Sequence, residues 1–272
     1  MPRTAWVELP GAVRTAVQER TGEVLAESPT RFGARSHLTS TLTAENGPVF
    51  VKAARLDSPF AGGLRNERAV SPHVRHVAAP LLWAVEADDW LVLGFEHIDG
   101  RHEPYEPGGM ALNALTEILG ELAAVPCPST VTKRIASRWA GDDERLTAAM
   151  SGDALLHTDL NPANLLLTGD RPRLVDWAWA SRGAAWVEIA LVLPRLIGHG
   201  HAPDEAERWA GRFPSWQQAS ADAVDALARR NLSRWERTTG GNREWSTAMA
   251  AATRQWITWR SRHRRTRTVH RG

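Results

Sequence analysis

The spacing of apolar residues changes character along the chain. From residue 30 to 55, "RFGARSHLTSTLTAENGPVFVKAAR" alternates β-branched with small or polar residues and carries Asn46-Gly47. That pattern predicts strands joined by a tight turn and ending in the compact strand "VFVKAA". Residues 62–76 have helical spacing up to Pro72, and "PLLWAVEADDWLVLGFEHIDG" predicts two short strands about an acidic turn, Glu86 to Asp89. From residue 110 the period becomes 3.6: Leu112, Leu115, Leu119 and Leu122 lie on one helical stripe, and "RIASRWAGDDERLTAAM" continues in the same style. After a strand-rich centre at 154–176, four more segments read as helices: "AAWVEIALVLPRLI", "PDEAERWAGRF", "SWQQASADAVDALARRNLSRWERTT" and "REWSTAMAAATRQWITWRSR". The expected class is α+β, with a β-rich part at 1–96 and a larger helical part at 97–272 divided near Glu96 to Gly100.

Composition adds three constraints. Hydrophobic residues make up 43% of the 272 positions, enough for a substantial core. A single cysteine, Cys127, excludes an internal disulfide framework. No basic region precedes an apolar run at the amino end, and no apolar stretch reaches membrane-spanning length, so a soluble cytoplasmic protein without membrane association is expected. The net charge of +2 hides an uneven distribution: residues 98–253 are net −4, whereas residues 254–272 carry seven Arg and no acid. The basic tail reads as a solvated helix end rather than a nucleic-acid surface, since no groove with interleaved aromatic residues accompanies it. Trp256 and Trp259, three apart, are expected to face a core. Only Lys52 and Lys133 of the 33 basic residues are lysine, so a position that keeps Lys has reason to need a compact ammonium.

Candidate chemistry centres on "LLHTDLNPANLLLTGDRPRLVDWAWA", Leu155 to Ala180. Moving a phosphoryl group from ATP to a hydroxyl calls for metal ions on the phosphates, a cation to hold them, and a carboxylate to orient the hydroxyl. Asp159 and Asn164 flank a short loop carrying Pro162, and Asp176 ends the run "RLVD". With "NLLLTGDRPRLVD" folded as a hairpin about Gly169-Asp170, Asp176 returns beside them, and such oxygen ligands suit Mg2+.

"HTDLNPANLLL", followed twelve residues after its Asn by "VDW", resembles the catalytic loop and metal-binding Asp of the protein-kinase-like superfamily, most closely the aminoglycoside phosphotransferase family. The resemblance runs through most of the chain. "VFVKAAR" looks like the strand bearing the phosphate-binding Lys, here Lys52. Glu67, fifteen residues on, stands where that lysine's partner is expected, and "LVLGFEHIDGR" looks like the interlobe hinge. The resemblance implies a bilobal protein-kinase-like fold, with a small β-rich N-lobe and a larger, mostly helical C-lobe. It implies Asp159 as base; Asn164 and Asp176 on Mg2+; Lys52, held by Glu67, on the α- and β-phosphates; and the backbone of Glu96, His97 and Ile98 against adenine. His157 would position the loop.

Three features depart from the family pattern. No G-x-G-x-x-G precedes Lys52, so "RFGARSHLTS" stands as the phosphate loop, with Gly33, Ser36 and His37 as its candidate residues. Thr158 stands where antibiotic kinases usually carry Gly, and Glu188 where a structural Asp is usual. Trp177 follows the metal Asp, as among small-molecule kinases. The expected function is therefore transfer of the γ-phosphoryl group of ATP, or GTP, to a hydroxyl of a small molecule. An aminoglycoside or other antibiotic is compatible with the net negative charge of 98–253. A sugar, amino alcohol or nucleoside kinase, or a non-catalytic nucleotide-binding module, stays open as an alternative. His199 and His201 are read as loop residues, since H-x-H lacks the further ligands of a zinc site. Most of Trp177, Trp179 and Trp186 are expected in the core, and Asp142, Asp143 and Glu144 on a solvated helix face.

Overall fold

Alternation along the strands sorts the amino-terminal half into two apolar layers on either side of one sheet. The computed structural model describes residues 4–30, 36–238 and 243–269, with side chains to residue 263. In chain order the first elements are α1 (Gly11–Thr21), β1 (Val24–Pro29), β2 (Leu38–Ala44), β3 (Gly47–Arg55), α2 (Ala61–Val70), β4 (Leu81–Ala87) and β5 (Trp90–Glu96). Next come α3 (Met110–Leu122), α4 (Ile135–Trp139), α5 (Glu144–Met150), β6 (Ala154–Leu156), β7 (Leu165–Leu166), β8 (Arg173–Leu174) and β9 (Ser181–Gly183). The chain then runs through α6 (Trp186–Gly198), α7 (Pro203–Ala210), α8 (Pro214–Gln217), α9 (Ala221–Arg237) and α10 (Arg243–Val269). These elements form two compact units, one from residues 1–101 with 163–180 and the other from 102–162 with 181–272.

In the first unit, five antiparallel strands are ordered β1-β2-β3-β5-β4. Val49, Val51 and Ala53 of β3 join Leu38, Leu42, Val85 and Val92 in a layer with Val13 and Val17 of α1. Odd and even positions of a strand face opposite ways. Lys52 and Ala54 are therefore directed to the other layer, where Ala54, Leu91, Leu93 and Phe95 meet Leu64 of α2. The predicted hairpin is present but short: β7 and β8 pair Leu165 with Leu174 and Leu166 with Arg173. Neither α1 nor β1 was foreseen from the sequence, because "GAVRTAVQERT" has a narrow apolar stripe and β1 keeps no fully buried position.

The second unit is helical, apart from β6 paired with β9. α6 is buried along nearly its whole length and packs against α7, α9 and α10. Such burial suits a helix that is apolar on all sides. Two predicted helices are divided: Gly141 at φ +59 separates α4 from α5, which Asp143 caps by accepting the Leu146 N–H at 2.9 Å, and a break at 218–220 separates α8 from α9. Trp256 is fully buried and Trp177 and Trp186 are core residues, whereas Trp259 is half-buried and stacks on His263 at 4.0 Å. Part of the basic tail is structural, since Arg260 pairs with Glu207 at 2.7 Å and with Asp225 at 2.5 Å. No helix of the described residues is long and apolar enough to cross a membrane.

Gly94 of β5 lies directly across from Trp83 of β4, and a β-carbon at 94 would overlap the indole. The glycine is thus a seat for the ring. Gly94→Ala should destabilise the protein by ~1–3 kcal/mol, the usual penalty of overpacking, read as a lower urea midpoint at unchanged m-value.

Candidate active site

Lys52 is where the first unit concentrates its buried charge. It lies on β3 between Thr39 of β2 and Leu93 of β5. Its ammonium is 2.9 and 3.0 Å from the two carboxylate oxygens of Glu67 on α2, and 3.0 Å from Oδ1 of Asp176. Lys52 is 6% exposed and Glu67 2%, while the Asp176 side chain is 27% exposed. Burial pulls the Lys52 ammonium down, but the charges of Asp176 and Glu67 outweigh it and hold the lysine above its ordinary range. Burial pushes the Glu67 carboxyl up against the pull of Lys52. One cation facing two carboxylates leaves an acidic surplus, and its accessible side is Asp176.

Backbone contacts lock this arrangement. Glu67 also accepts the Trp177 N–H at 3.0 Å, and Asn66 donates to the carbonyl oxygens of Ala180 at 2.9 Å and Ala178 at 3.3 Å. Asp176 itself is left-handed, at φ +66. Val175 N–H donates to Asn164 O at 2.9 Å, so the hairpin brings Asn164 across from the residue preceding Asp176. Asn164 and Asp176 are thus two oxygen donors beside an acidic surplus, a set that fits Mg2+, which takes its remaining ligands from water and phosphates.

The second unit carries Asp159, five residues before Asn164 in the chain. Asp159 N–H donates to His157 Nδ1 at 3.3 Å, and His157 is fully buried, a positioning role for the ring. Thr158 has φ +68, a costly conformation for a β-branched residue. Two contacts hold it there. Its N–H donates to both carboxylate oxygens of Glu188 at 2.9 and 3.2 Å, and Arg138 donates to its hydroxyl at 2.7 Å. Glu188 also accepts the His157 N–H, so the longer Glu bridges both amides. Burial pushes its carboxyl up to about 7, against the His157 and Thr158 amides and the charge of Arg195. Arg195, also on α6, donates to Asp159 Oδ1 at 3.0 Å.

Arg195, Arg138 and Asn66 were missed from the sequence. For Arg195 a signal existed: Glu188 and Arg195 are the only charges in "WVEIALVLPRLIG", seven apart and so on one side of the helix. The other candidates have settings of their own. Gly33 lies outside the described residues. Ser36 is buried and hydrogen-bonded to Thr39, whereas the His37 ring packs edge-on against Phe60 and Trp90 at 5.1 and 5.4 Å. Glu96 is the last residue of β5, and the backbone groups of His97 and Ile98 make no hydrogen bond among the described residues. His201 is buried and bonded to the Tyr105 carbonyl oxygen at 2.8 Å, and no group of three or more metal-ligating side chains occurs among the described residues.

No protein-family model matches the sequence, and no curated protein matches it. Solved structures do. An aminoglycoside phosphotransferase from Alicyclobacillus acidocaldarius is 13% identical, with a TM-score of 0.62 over 94% of this chain and 97% of that one. A thermostable mutant of the aminoglycoside phosphotransferase APH(4)-Ia is 14% identical, with a TM-score of 0.60 over 92% and 98%. Choline kinase LicA from Streptococcus pneumoniae is 13% identical, with a TM-score of 0.60 over 90% and 97%. The chain has the protein-kinase-like fold. Within that fold, LicA has been solved with AMP, and APH(4)-Ia mutants with ADP or AMP-PNP together with hygromycin B.

Two outcomes test the geometry. Lys52→Met leaves Glu67 buried without its counter-charge and should cost ~3–5 kcal/mol; adding Glu67→Gln should recover much of that loss, as a double-mutant cycle by chemical denaturation will read. Glu188 binds its proton more tightly folded, at about 7, than at its ordinary 4.5. Between these pH values the unfolded chain binds fewer protons, so stability should fall as pH rises through the window, by an amount of order 3 kcal/mol at most. Denaturation from pH 5 to 8 should show that decline, and Glu188→Gln should flatten it.

Proposed function

We propose that the chain is a cytoplasmic small-molecule kinase that uses ATP, or GTP, and Mg2+ to phosphorylate a hydroxyl. The acceptor class spans aminoglycosides and other antibiotics, where the reaction would confer resistance, and metabolites such as sugars, amino alcohols and nucleosides. The observation that carries the reading is the buried Lys52 shared between Glu67 and Asp176, with Asn164 opposite the end of the same hairpin. A structural ion pair would not need the second, partly exposed carboxylate. The neighbours solved with nucleotides support the same reading.

In this proposal residues 1–96 supply the nucleotide-binding surface, and residues 97–272 supply the catalytic and acceptor-binding groups. Lys52 holds the α- and β-phosphates, and Glu67 keeps the lysine in place. The unpaired backbone of His97 and Ile98, with Glu96, meets the base, and Gly33 and Ser36 belong to the loop over the phosphates. Asn164 and Asp176 hold Mg2+, which when bound neutralises charge on the β- and γ-phosphates. Asp159 orients the acceptor hydroxyl. As its oxygen attacks the γ-phosphorus, the bond to the β–γ bridging oxygen breaks, ADP leaves with the electron pair, and the proton passes to Asp159.

Purified protein with Mg2+ and ATP or GTP should release nucleoside diphosphate in the presence of one acceptor class from a panel of aminoglycosides, other hydroxylated antibiotics, sugars, amino alcohols and nucleosides. Asp159→Ala should lower transfer by ~10²–10⁴-fold while leaving nucleotide affinity within about threefold. Near-wild-type turnover in that variant would sink the assignment of the base. Nucleotide binding without turnover on any acceptor would point to a regulatory module.

A further inference from the structure

We infer that Arg195 is a positioning and specificity residue for Asp159: it fixes the carboxylate and disfavours acceptors that carry an ammonium group beside the reacting hydroxyl, favouring a carboxylate there. This rests on the phosphotransferase reading, with Asp159 as the residue that meets the acceptor.

The guanidinium has an unusual setting. Arg195 is 7% exposed, in a helix whose other buried side chains are apolar except for Glu188. Its Nη1 donates to the Leu191 carbonyl oxygen at 2.8 Å and its Nη2 to Asp159 Oδ1 at 3.0 Å, while its Nε is buried with no partner among the described residues. Tyr105, fully buried and near enough for the charges of Arg195 and Asp159 to act on it, also leaves its hydroxyl unpartnered among those residues. Buried polar atoms without partners are few in folded proteins, and each calls for a reason. An apolar side chain would fill this stretch of α6 at less cost to folding than a buried, incompletely satisfied cation. What the arginine provides is control of Asp159, whose side chain is 34% exposed against 9% for the arginine's. Asp159 thus presents itself to solvent while its orientation is set from behind.

Orientation is what this chemistry rewards, since phosphoryl transfer leaves the protein little covalent work beyond placing the hydroxyl. The same guanidinium puts a fixed positive charge next to the place the acceptor hydroxyl would occupy. Arg can only donate hydrogen bonds, so its complement on an acceptor is an oxygen, best a carboxylate. An ammonium at that position meets a like charge. The charge paired with Asp159 is therefore opposite in sign to the net charge of residues 98–253, whose acidic groups include the exposed Asp142 and Glu144.

The test uses the full chain and a matched acceptor series, glycolate, ethanol and ethanolamine, whose charged members carry the charge on the carbon next to the hydroxymethyl group, with Mg-ATP hydrolysis by water as the acceptor-free reaction. Arg195→Gln should lower kcat at least tenfold with the nucleotide KM within about twofold, and Arg195→Lys should recover part of the loss. Wild-type kcat/KM should favour glycolate over ethanolamine by tenfold or more, and Arg195→Gln should erase that preference. Melting temperatures of both variants separate misfolding from lost positioning, and Tyr105→Phe, which keeps the ring, should leave the charge preference intact. Turnover that depends on Asp159 but is indifferent to Arg195, or a preference for ethanolamine, overturns the inference alone. Absence of any Asp159-dependent turnover, with acceptors or with water, overturns the base assignment and this inference with it.

Discussion

A buried ammonium has to be paired, and in this protein that requirement governs the whole first unit. Lys52 can stay charged at 6% exposure only because two carboxylates reach it, one from α2 and one from the segment after β8. The register of β3, the seating of α2 and the course of the chain past Asp176 are therefore not independent. Asn66 and the Trp177 amide reinforce the same dependence from neighbouring positions. Because one cation answers two carboxylates, the ion pair is also electrically unfinished. The surplus is directed to Asp176, the accessible member, which suits a further cation.

The second unit meets a different demand. Asp159 has to be held by its surroundings, and the loop before it is pinned through the backbone: Glu188 takes the amides of His157 and Thr158, and Thr158 is kept left-handed. A glycine would adopt that conformation without strain, whereas threonine adds a hydroxyl for Arg138 to grip. Strain, a buried carboxyl and a buried guanidinium all gather within three residues of Asp159 or on the face of α6 that meets it. Concentrated local cost of that kind is what the proposed role of Asp159 would account for.

Fold likeness and chemistry carry different weight. At 13–14% identity, coverage of 90% or more of this chain tells how the backbone runs. Chemistry has to be argued from side chains, and here charge summed over a segment misleads. Residues 98–253 are net negative, yet a buried arginine pairs with the Asp159 carboxylate. Exposed acids are screened by water within a few ångströms, while a cation at 3.0 Å in a poorly hydrated place is not.

Local pattern was sufficient for most of the elements, though not for α1, β1 or the breaks inside two helices, and for the residues that a hairpin or a strand puts in place. Lys52 stood out because the chain otherwise uses arginine, and Asn164 and Asp176 because a tight turn between them brings their ends together. Such pairings are settled within a dozen residues by turn chemistry and strand alternation. The contact of Asn66 with residues 178 and 180, the grip of Arg138 on Thr158, and the bond from Arg195 to Asp159 were decided only by tertiary structure. Periodicity states which face of a helix is buried, but not what packs against it. That partner is chosen when separate elements compete to fill a common core, a many-body problem that no window of sequence contains.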